Sequence, residues 1–358
     1  MTTKNNTKNR CCKFIPDDIL DKLGEKKDED LSQYIRENRE YLAANPSIAA
    51  QLKKKYFKTT HKEIRRLFDS KNTLKYSTTP IAVDEQVHSS APSKYPALEL
   101  ANKVYDYFHN QFDLESWDNK NAPIDVHINF GVKYNNAFFD GLRMVFGNGD
   151  GTYFNPFMTQ NIFTHEITHG ITQTLVENGK GLDYQLQEGA LNEHMSDVFA
   201  VALDQRLAKQ KPSQASWLIG EGIFVATKIK AKGLRTFKNE LAYDDKLIGK
   251  DPQPKHMKDF KVLPNDDDND YGGVHINSGI PNRAFYEFCI LAEKEVGDER
   301  INYSWKAPAQ IWFNTYKRLE PNTQFKQFAL DTVSVAKRIH PQLTTQLKKA
   351  WQIVGVLQ

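Results

Sequence analysis

Two histidines lie one helical turn apart in the stretch "NIFTHEITHGITQ", residues 161–173. Apolar residues recur in this stretch at the spacing of an amphipathic helix, namely Ile162, Phe163, Ile167 and Ile171. On that helix His165 and His169 share one face, so both imidazole rings can point at one metal ion, and Glu166 lies beside them. This H-E-x-x-H pattern offers two metal ligands and a candidate general base, although a polar helix without a metal site is equally compatible with it.

A second stretch, "EGALNEHMSDVFAVALD" at 188–204, offers a third ligand. Glu193 and Asp197 lie four residues apart on one face of a predicted helix. A catalytic zinc usually takes three protein ligands and keeps one open position, so Glu193 would complete a set of two histidines and one glutamate. Asp197 would then accept the outer N–H of a zinc histidine. The alternative is a solvated acidic helix face, which this spacing more often means.

A third stretch, "DYGGVHINSGI" at 270–280, joins a Gly-Gly turn to a histidine. It predicts a loop before a helix that begins near Pro281. His275 in such a loop would donate a hydrogen bond to a developing oxyanion, while Asp270 holds its other ring nitrogen. The alternative is a histidine whose hydrogen bonds are satisfied within the loop.

Together, "HEITH", "GALNEHMSD" and "GGVHINSGI" resemble blocks of the thermolysin family of zinc metallopeptidases. Three further stretches resemble family blocks: "YNNAFFDGLRMVFGNGDG" at 134–151, "LDYQ" at 182–185 and "GLRTF" at 233–237. The chain is similar in particular to the protealysin-like subgroup, which carries a short propeptide. The resemblance implies an α+β fold with an N-terminal β-rich α/β lobe, a C-terminal mostly helical lobe and the zinc helix between them.

The resemblance also implies a zinc-dependent endopeptidase that hydrolyses internal peptide bonds with a zinc-activated water. His165, His169 and Glu193 would bind Zn2+. Glu166 would take the proton of the water and deliver it to the leaving amine. A bulky hydrophobic residue would be preferred on the leaving-group side of the substrate.

Further positions that match the family imply substrate contacts. Tyr184 and His275 would stabilise the oxyanion. Arg235 would hold the carbonyl just beyond the scissile bond by a forked contact. Asn136 and the backbone of Ala137 would align the substrate as an added strand.

The remaining implied roles concern support and substrate fit. Asp197 and Asn192 would hold the outer nitrogens of the two zinc histidines, and Asp270 that of the oxyanion histidine. An apolar substrate pocket would be lined by Phe154, Phe157, Ile162 and Leu234. Plain core packing is the alternative for each of these four residues.

Two other functions stay open at this point. A catalytically silent zinc fold that serves as a binding protein would be marked by a replaced Glu166, but the glutamate is present. A zinc aminopeptidase would need an acidic anchor for a free amine, and the substrate-strand block "YNNAFFDG" argues against it. The substrates implied are therefore peptides or proteins.

Three segments follow from the resemblance and the composition. Residues 1–60 are assigned to a propeptide that acts as an intramolecular inhibitor, 61–178 to the N-terminal lobe, and 179–358 to the C-terminal lobe. In "FIPDDIL" the pair Ile15-Pro16 is followed by Asp17, where the subgroup has a second proline. Alternation in "IDVHINF" and the "GNGDG" turn predict antiparallel strands in the N-terminal lobe.

Composition excludes some partners. A net charge of +3 over 358 residues gives no reason to expect nucleic acid. No run approaches 18 apolar residues, so no membrane span is expected. The start "MTTKNNTKNRCCKF" lacks the apolar region of a secretory signal, so we expect a cytoplasmic protein, or one exported without a cleavable signal peptide.

The cysteines and the acidic residues raise two questions about metals. Three cysteines imply no disulfide framework, and Cys11 or Cys12 either occupies the open zinc position in a latent state or is an uninvolved thiol. Family members usually bind Ca2+ near the zinc. This chain keeps two acidic residues there, Asp204 and Glu221, but has Asn161, Ser216 and Leu218 where the family is acidic. A paired calcium site is therefore predicted to be lost, which leaves room for one weak Ca2+ at most.

Overall fold

The computed structural model describes residues 12–24, 65–84, 95–296, 301 and 303–358. The chain divides into two compact units, Met1–Thr159 and Gln160–Gln358. The first unit contains a mixed sheet and the second is mostly helical, which confirms the predicted fold class. The predicted boundaries of the propeptide and the two lobes, at 60/61 and 178/179, are not tested by this division and stay predictions.

A six-stranded mixed sheet organises the first unit. Its strands are β1 (Cys12–Lys13), β2 (Arg65–Thr73), β3 (Ala82–Asp84), β4 (Ile124–Phe130), β5 (Ala137–Phe139) and β6 (Met144–Phe146). They lie side by side in the order β1-β5-β6-β4-β2-β3. Two helices of the unit are α1 (Asp17–Lys22) and α2 (Pro96–Phe112).

Strand β4 pairs in parallel with both of its neighbours, β2 and β6. The prediction of antiparallel strands is wrong here, because alternation shows which side chains are buried but not the direction of the neighbouring strands. Parallel strands need a long crossover, and α2 lies in the connection from β3 to β4. The hairpin of this sheet joins β5 to β6, where Asp140 N donates to Arg143 O at 3.0 Å, and "GNGDG" follows β6.

The described part of the second unit contains seven α-helices, six short 3-10 helices and two pairs of short strands. The helices are α3 (Gln160–Leu175), α4 (Leu186–Leu207), α5 (Asp270–Asn277), α6 (Gly279–Val296), α7 (Ala307–Thr315), α8 (Phe325–Ile339) and α9 (Thr344–Ile353). The strands are β7 (Leu218–Ile219), β8 (Arg235–Thr236), β9 (Asp244–Asp245) and β10 (Gly249–Lys250). Among the described residues, no helix has both the length and the apolar character needed to cross a bilayer.

Helix α4 is the central helix of the second unit, since every residue from 188 to 203 is buried. A helix buried on all sides must bury whatever polar residues its sequence contains. In α4 these include Glu193 and Asp197, both with no exposed surface. Burying a carboxylate costs free energy unless charges or hydrogen bonds compensate it, so the fold has to supply partners for both.

Helix α5 begins with a turn of left-handed backbone that contains two glycines. Tyr271, Gly272 and Gly273 all have positive φ, so regular helix begins at Val274. A Cβ on Gly272 would lie 2.5 Å from Leu186 Cδ2, and a Cβ on Gly189 would lie 2.6 Å from Val274 Cγ1. These glycines therefore bring α5 close to α4.

We predict that Gly189→Ala destabilises the second unit, because the new methyl group would overlap Val274 and approach the Tyr184 carbonyl carbon at 3.0 Å. The expected loss is about 1–3 kcal/mol in the free energy of unfolding, measured by urea titration. Combining it with Val274→Ala should give a smaller loss than the sum of the two single variants. Additive losses would contradict this account of the packing.

Candidate zinc centre and catalytic site

Helix α3 presents two buried histidines to one point. His165 and His169 lie one turn apart, and their Nε2 atoms are 3.1 Å apart. Glu166, between them in sequence, is also fully buried. The predicted helix is present, and its apolar residues Ile162, Phe163, Ile167 and Ile171 are buried as the amphipathic pattern requires.

Helix α4 brings the third predicted ligand to the same point. Glu193 Oε2 lies 3.4 Å from His165 Nε2, and Glu193 Oε1 lies 3.6 Å from His169 Nε2. The potential ligand atoms of these three residues all lie within 4.8 Å of one another. Glu193, 24 positions after His169, thus joins the two histidines in one compact donor set, which requires the packing of α4 against α3.

The outer ring nitrogens of both histidines have partners on α4. His165 Nδ1 lies 2.9 Å from Asp197 Oδ1, and His169 Nδ1 lies 2.8 Å from Asn192 Oδ1. Ser196 Oγ lies 3.2 Å from the same nitrogen of His169, a contact that sequence reasoning missed. The sequence marks Ser196 only by its position three residues after Glu193.

The donor set fits a zinc ion on its own chemistry. The amide oxygen of Asn192 can only accept, so Nδ1 of His169 carries the ring proton and its Nε2 carries a lone pair. The lone pair of His169 Nε2 and the Glu193 carboxylate thus face the same place, where a bound cation would be stabilised by both. Two imidazoles and one carboxylate are a usual ligand set of catalytic zinc.

The buried Glu193 carboxylate and the histidines around it shift one another's pKa values. Burial acts against the charge of Glu193, but the neighbouring charges, that of His275 first among them, outweigh burial and hold the pKa of Glu193 well below its usual range. Burial also acts against a proton on His275, yet Glu193 and Asp270 raise its pKa to about 9. Burial lowers the pKa of His169 to about 4.

The predicted oxyanion residues lie beside the ligands. His275 Nε2 is 3.4 Å from Glu193 Oε2 and 3.3 Å from Tyr184 Oη, and Tyr184 Oη donates to Glu193 Oε1 at 2.6 Å. Asp270 Oδ1 lies 2.6 Å from His275 Nδ1, and its Oδ2 accepts from the backbone N–H of His275 at 2.8 Å. The prediction that His275 lies in a loop is wrong: it lies on α5, because regular helix already begins at Val274, well before the start that was expected near Pro281.

Arg235 lies on β8 and is almost fully buried. Its Nε and Nη2 donate to Asp197 at 3.0 and 2.8 Å. Burial raises the cost of ionising Asp197, but Arg235 and His165 outweigh it and keep the pKa of Asp197 below its usual value. Arg235 thus makes a forked contact with a carboxylate of the protein, and its expected contact with the substrate carbonyl stays a prediction.

A further partner of Asp197 was missed from the sequence. Asn282 Nδ2 donates to Asp197 Oδ2 at 2.9 Å, and Asn282 is fully buried on α6. No periodicity singles it out, because its partner is 85 residues away in sequence. Only the pairing of α6 with α4 brings the two side chains together.

The predicted substrate residues Asn136 and Ala137 belong to the first unit, where they contact the N-terminal segment. Asn136 Oδ1 accepts from Ile15 N at 2.9 Å, and Asn136 Nδ2 donates to Ile15 O at 3.0 Å. Strand β1 pairs antiparallel with β5, and Phe14 N donates to Ala137 O at 3.0 Å. The N-terminal segment thus lies as an added strand on the residues predicted to bind substrate.

Three smaller predictions have mixed outcomes. Cys11 and the side chain of Cys12 lie outside the described residues, so their suggested zinc contact stays a prediction. Cys289 is buried, and burial raises the pKa of its thiol well above the usual value. The four predicted pocket residues Phe154, Phe157, Ile162 and Leu234 are all buried, which agrees with a pocket wall and with core packing alike.

Comparisons with known proteins agree with this geometry. Residues 35–173 match the model of the thermolysin metallopeptidase catalytic domain, and residues 180–356 match that of the thermolysin metallopeptidase alpha-helical domain. The chain is 37% identical over 300 residues to Protease PrtS of Photorhabdus sp. (strain Az29), covering 82% of this chain and 76% of that protein. The chain belongs to the thermolysin family of metallopeptidases.

Two further relatives add detail to the family assignment. An Extracellular metalloprotease of Pectobacterium carotovorum subsp. carotovorum is 40% identical over 285 residues, covering 78% of this chain and 74% of that protein. The precursor of Protealysin, a metalloproteinase from Serratia proteamaculans, has a solved structure that matches with a TM-score of 0.76 and 33% identity, covering 96% of this chain and 99% of that one. This thermolysin-family chain is a zinc metalloendopeptidase, and its three-residue donor set is the candidate zinc site.

The residues where thermolysin-family members usually bind calcium do not fit a pair of Ca2+ ions here. Asn161 Nδ2 donates to Asp204 Oδ2 at 2.7 Å, and Asn161 Oδ1 accepts from Gly220 N at 3.0 Å. Ser216 Oγ donates to Glu221 Oε2 at 3.0 Å. Calcium needs several oxygen ligands, whereas here an amide N–H occupies one of the few carboxylate oxygens. Burial raises the pKa of the Asp204 carboxyl to about 6.

We predict that Asn161→Asp makes the stability of the protein depend on calcium. Without Ca2+, the new carboxylate would repel Asp204 and remove its hydrogen bond, at a cost of about 1–3 kcal/mol. Added Ca2+ should raise the Tm of this variant, whereas calcium chelation at constant free zinc should leave the Tm of the unchanged protein as it is. Calorimetry measures both.

The matched control for this calcium experiment is Asn314→Asp. Asn314 Nδ2 donates to the backbone oxygen of Gln310 at 2.8 Å on α7, so this variant also loses an amide donor. It should lose stability without responding to Ca2+. A large fall in the Tm of the unchanged protein on selective calcium removal would refute the loss of the calcium pair.

Proposed function

We propose that this zinc endopeptidase is made as a latent precursor and that it cleaves internal peptide bonds before bulky hydrophobic residues. The observation that carries the proposal is the coexistence of a complete catalytic set in the second unit with an N-terminal strand on the predicted substrate residues in the first. The catalytic set supports hydrolysis, and the strand supports latency.

Catalysis is assigned to buried residues around the donor set. Zinc, when bound by His165, His169 and Glu193, supplies Lewis acidity and lowers the pKa of water. Glu166, buried on the ligand helix, accepts a proton from the attacking water and passes it to the nitrogen of the leaving amine. A single carboxylate performs both proton transfers, so no serine or cysteine nucleophile is needed.

Stabilisation of the oxyanion is assigned to two donors, Tyr184 Oη and His275 Nε2, which lie 3.3 Å apart. Asp270 orients the ring of His275 and favours its protonated form, so Nε2–H can donate. The Tyr184 hydroxyl, which contacts Glu193 in this structure, has to turn toward the substrate. Arg235 is assigned to the substrate carbonyl beyond the scissile bond, in addition to its contact with Asp197.

Latency is assigned to the strand β1 and the two residues after it. A substrate aligned by Asn136 would need the amide of Asn136 for its own peptide group, but that amide already holds N–H and C=O of Ile15. Phe14 and Ile15 are fully buried, so the segment is also held by apolar packing. An inhibitory strand that uses the substrate's hydrogen bonds excludes the substrate by competition.

Asp17, which departs from the subgroup's second proline, has a local role that is compatible with latency. Its carboxylate lies 3.0 Å from Lys13 Nζ and stands in the first turn of α1. A carboxylate at the N-terminus of a helix is favoured by the helix dipole. Pro16 holds an extended backbone, φ −62° and ψ 145°, just before α1 begins.

The outcome of one experiment decides between this endopeptidase and a catalytically silent zinc fold. The purified full-length chain and its Glu166→Ala form are incubated with zinc and a protein substrate, and mass spectrometry is used to read both substrate and enzyme. We expect internal cuts before bulky apolar residues only when Glu166 is present. The loss of about 60 N-terminal residues should also require Glu166, and this cut should fall within a few residues of the predicted boundary. Intact substrate in both forms, also after residues 1–60 have been removed, would refute the proposed activity.

We predict that Ile15→Ser shortens the lag before activity appears. Placing a hydroxyl in the apolar site of Ile15 should weaken the docking of β1 by about 1.5–3 kcal/mol. The measurement is a time course of hydrolysis of a small internal-peptide substrate with blocked ends. Lys22→Ser, at an exposed residue of α1, is the control and should keep the lag of the unchanged protein. An unaltered lag in Ile15→Ser would argue against inhibition by β1.

A further inference from the structure

A chain of buried side chains leads from the helical core to Asp197. Trp312 Nε1 on α7 lies 2.7 Å from His194 Nε2 on α4. His194 Nδ1 lies 2.7 Å from Asn282 Oδ1 on α6, and Asn282 Nδ2 donates to Asp197 Oδ2 at 2.9 Å. All of these side chains have no exposed surface. Neither the sequence analysis nor the proposed catalytic mechanism uses Trp312, His194 or Asn282.

The direction of every hydrogen bond in this chain follows from its first member. An indole N–H can only donate, so Nε2 of His194 accepts, and the ring proton of the neutral imidazole is on Nδ1. That proton is donated to Asn282 Oδ1, which orients the amide so that its NH2 group points at Asp197. Reversing the amide would place its oxygen against the Asp197 carboxylate and its NH2 group against the His194 N–H. The chain therefore has one favourable arrangement.

The end of the chain lies on a carboxylate whose acceptor positions are all used. Oδ1 of Asp197 faces His165 Nδ1 and Arg235 Nη2, and Oδ2 accepts from Arg235 Nε and Asn282 Nδ2. Four contacts match the four lone-pair positions of a carboxylate. Any rotation of this group that releases Asn282 also moves Oδ1 relative to His165.

We propose that Trp312, His194 and Asn282 form a positioning relay that holds the Asp197 carboxylate and, through it, the zinc ligand His165. The relay rests on the proposed zinc set, and it adds residues up to three hydrogen bonds beyond Asp197, the partner of the ligand His165. By holding His165 in place, the relay slows the release of the zinc ion. These three residues are positioning residues, since none of them touches the donor set's inward atoms.

The magnitude expected follows from the place of each residue in the relay. Loss of the direct partner of a metal histidine typically weakens metal binding by about 10–100-fold. Trp312 acts on Asp197 through two intervening side chains, so Trp312→Phe should speed zinc release by about three- to tenfold, less than the loss of a direct partner would. Phenylalanine keeps an aromatic ring in the core but has no N–H to donate.

The chain offers a matched control in Trp351 on α9. Its ring is stacked on that of Trp312, with centroids 6.2 Å apart and an interplanar angle of 13°, and it is equally buried. Its indole N–H donates to Thr332 Oγ1 at 2.9 Å, which is outside the relay. Trp351→Phe therefore makes a similar change in the same core without removing a hydrogen bond of the relay.

The experiment measures zinc release from the full-length chain that also carries Glu166→Ala, which prevents self-cleavage. Zinc transfer to a colour-forming chelator is followed over time, and urea unfolding is measured for each variant. We expect faster release in Trp312→Phe and unchanged release in Trp351→Phe, even where the two lose similar stability. Equal release rates in the two variants would overturn the relay.

A second pair of variants tests the relay at His194, should Trp312→Phe fail to fold. Gln can accept with its oxygen and donate with its nitrogen, as His194 does, whereas Met fills the space without a hydrogen bond. His194→Gln should release zinc more slowly than His194→Met. Equal rates would refute the relay.

Zinc content separates the failure of this inference from the failure of the proposed function. If the chain with Glu166→Ala binds one zinc and His165→Ala loses it, the zinc set stands, and the comparison of Trp312→Phe with Trp351→Phe decides on the relay alone. If the chain binds no zinc even when the ion is supplied, the proposed zinc set and the relay are both refuted.

Discussion

The carboxylate of Asp197 is the point on which the catalytic unit depends. It lies in the middle of a helix that is buried on every side, and it is charged there because Arg235 and His165 compensate the loss of water. Removing any one partner would leave a buried charge incompletely paired. One group thus connects a zinc ligand, a proposed substrate-binding arginine and, through Asn282, the aromatic core around Trp312.

The active site is polar at the very centre of a helical unit, which is unusual for a core. Helices α3 and α4 contribute His165, His169 and Glu193 from faces that point at each other, and the fold satisfies the outer atoms of these residues with Asp197, Asn192 and Ser196. Helix α5 supports its histidine in a similar way, because the positive-φ turn lets Asp270 contact both the ring and the backbone of His275. These outer contacts fix the orientation of the donor set.

Much of the fold and the site could be predicted because helical spacing alone places residues on faces. The pairs His165 and His169, and Glu193 and Asp197, lie where period 3.6 puts them. Other predictions went wrong where the physics is not local. Alternation in β4 could not reveal its parallel neighbours, and a tyrosine with positive φ before the Gly-Gly pair hid the start of α5. The contact between Ile15 and Asn136 was hidden too, because 121 residues separate the two.

The sequence by itself determined the chemistry: two imidazoles, a carboxylate and a base on predicted helices, in blocks that resemble one family. It could do so because helix periodicity and ligand chemistry are properties of short segments. Only the tertiary structure decided what surrounds them. Asn282, His194 and Trp312 contact the site through helices far apart in the chain, and buried polar groups choose partners by proximity in space. The occupation of Asn136 by the N-terminal strand is likewise a product of sheet pairing, which no local pattern encodes.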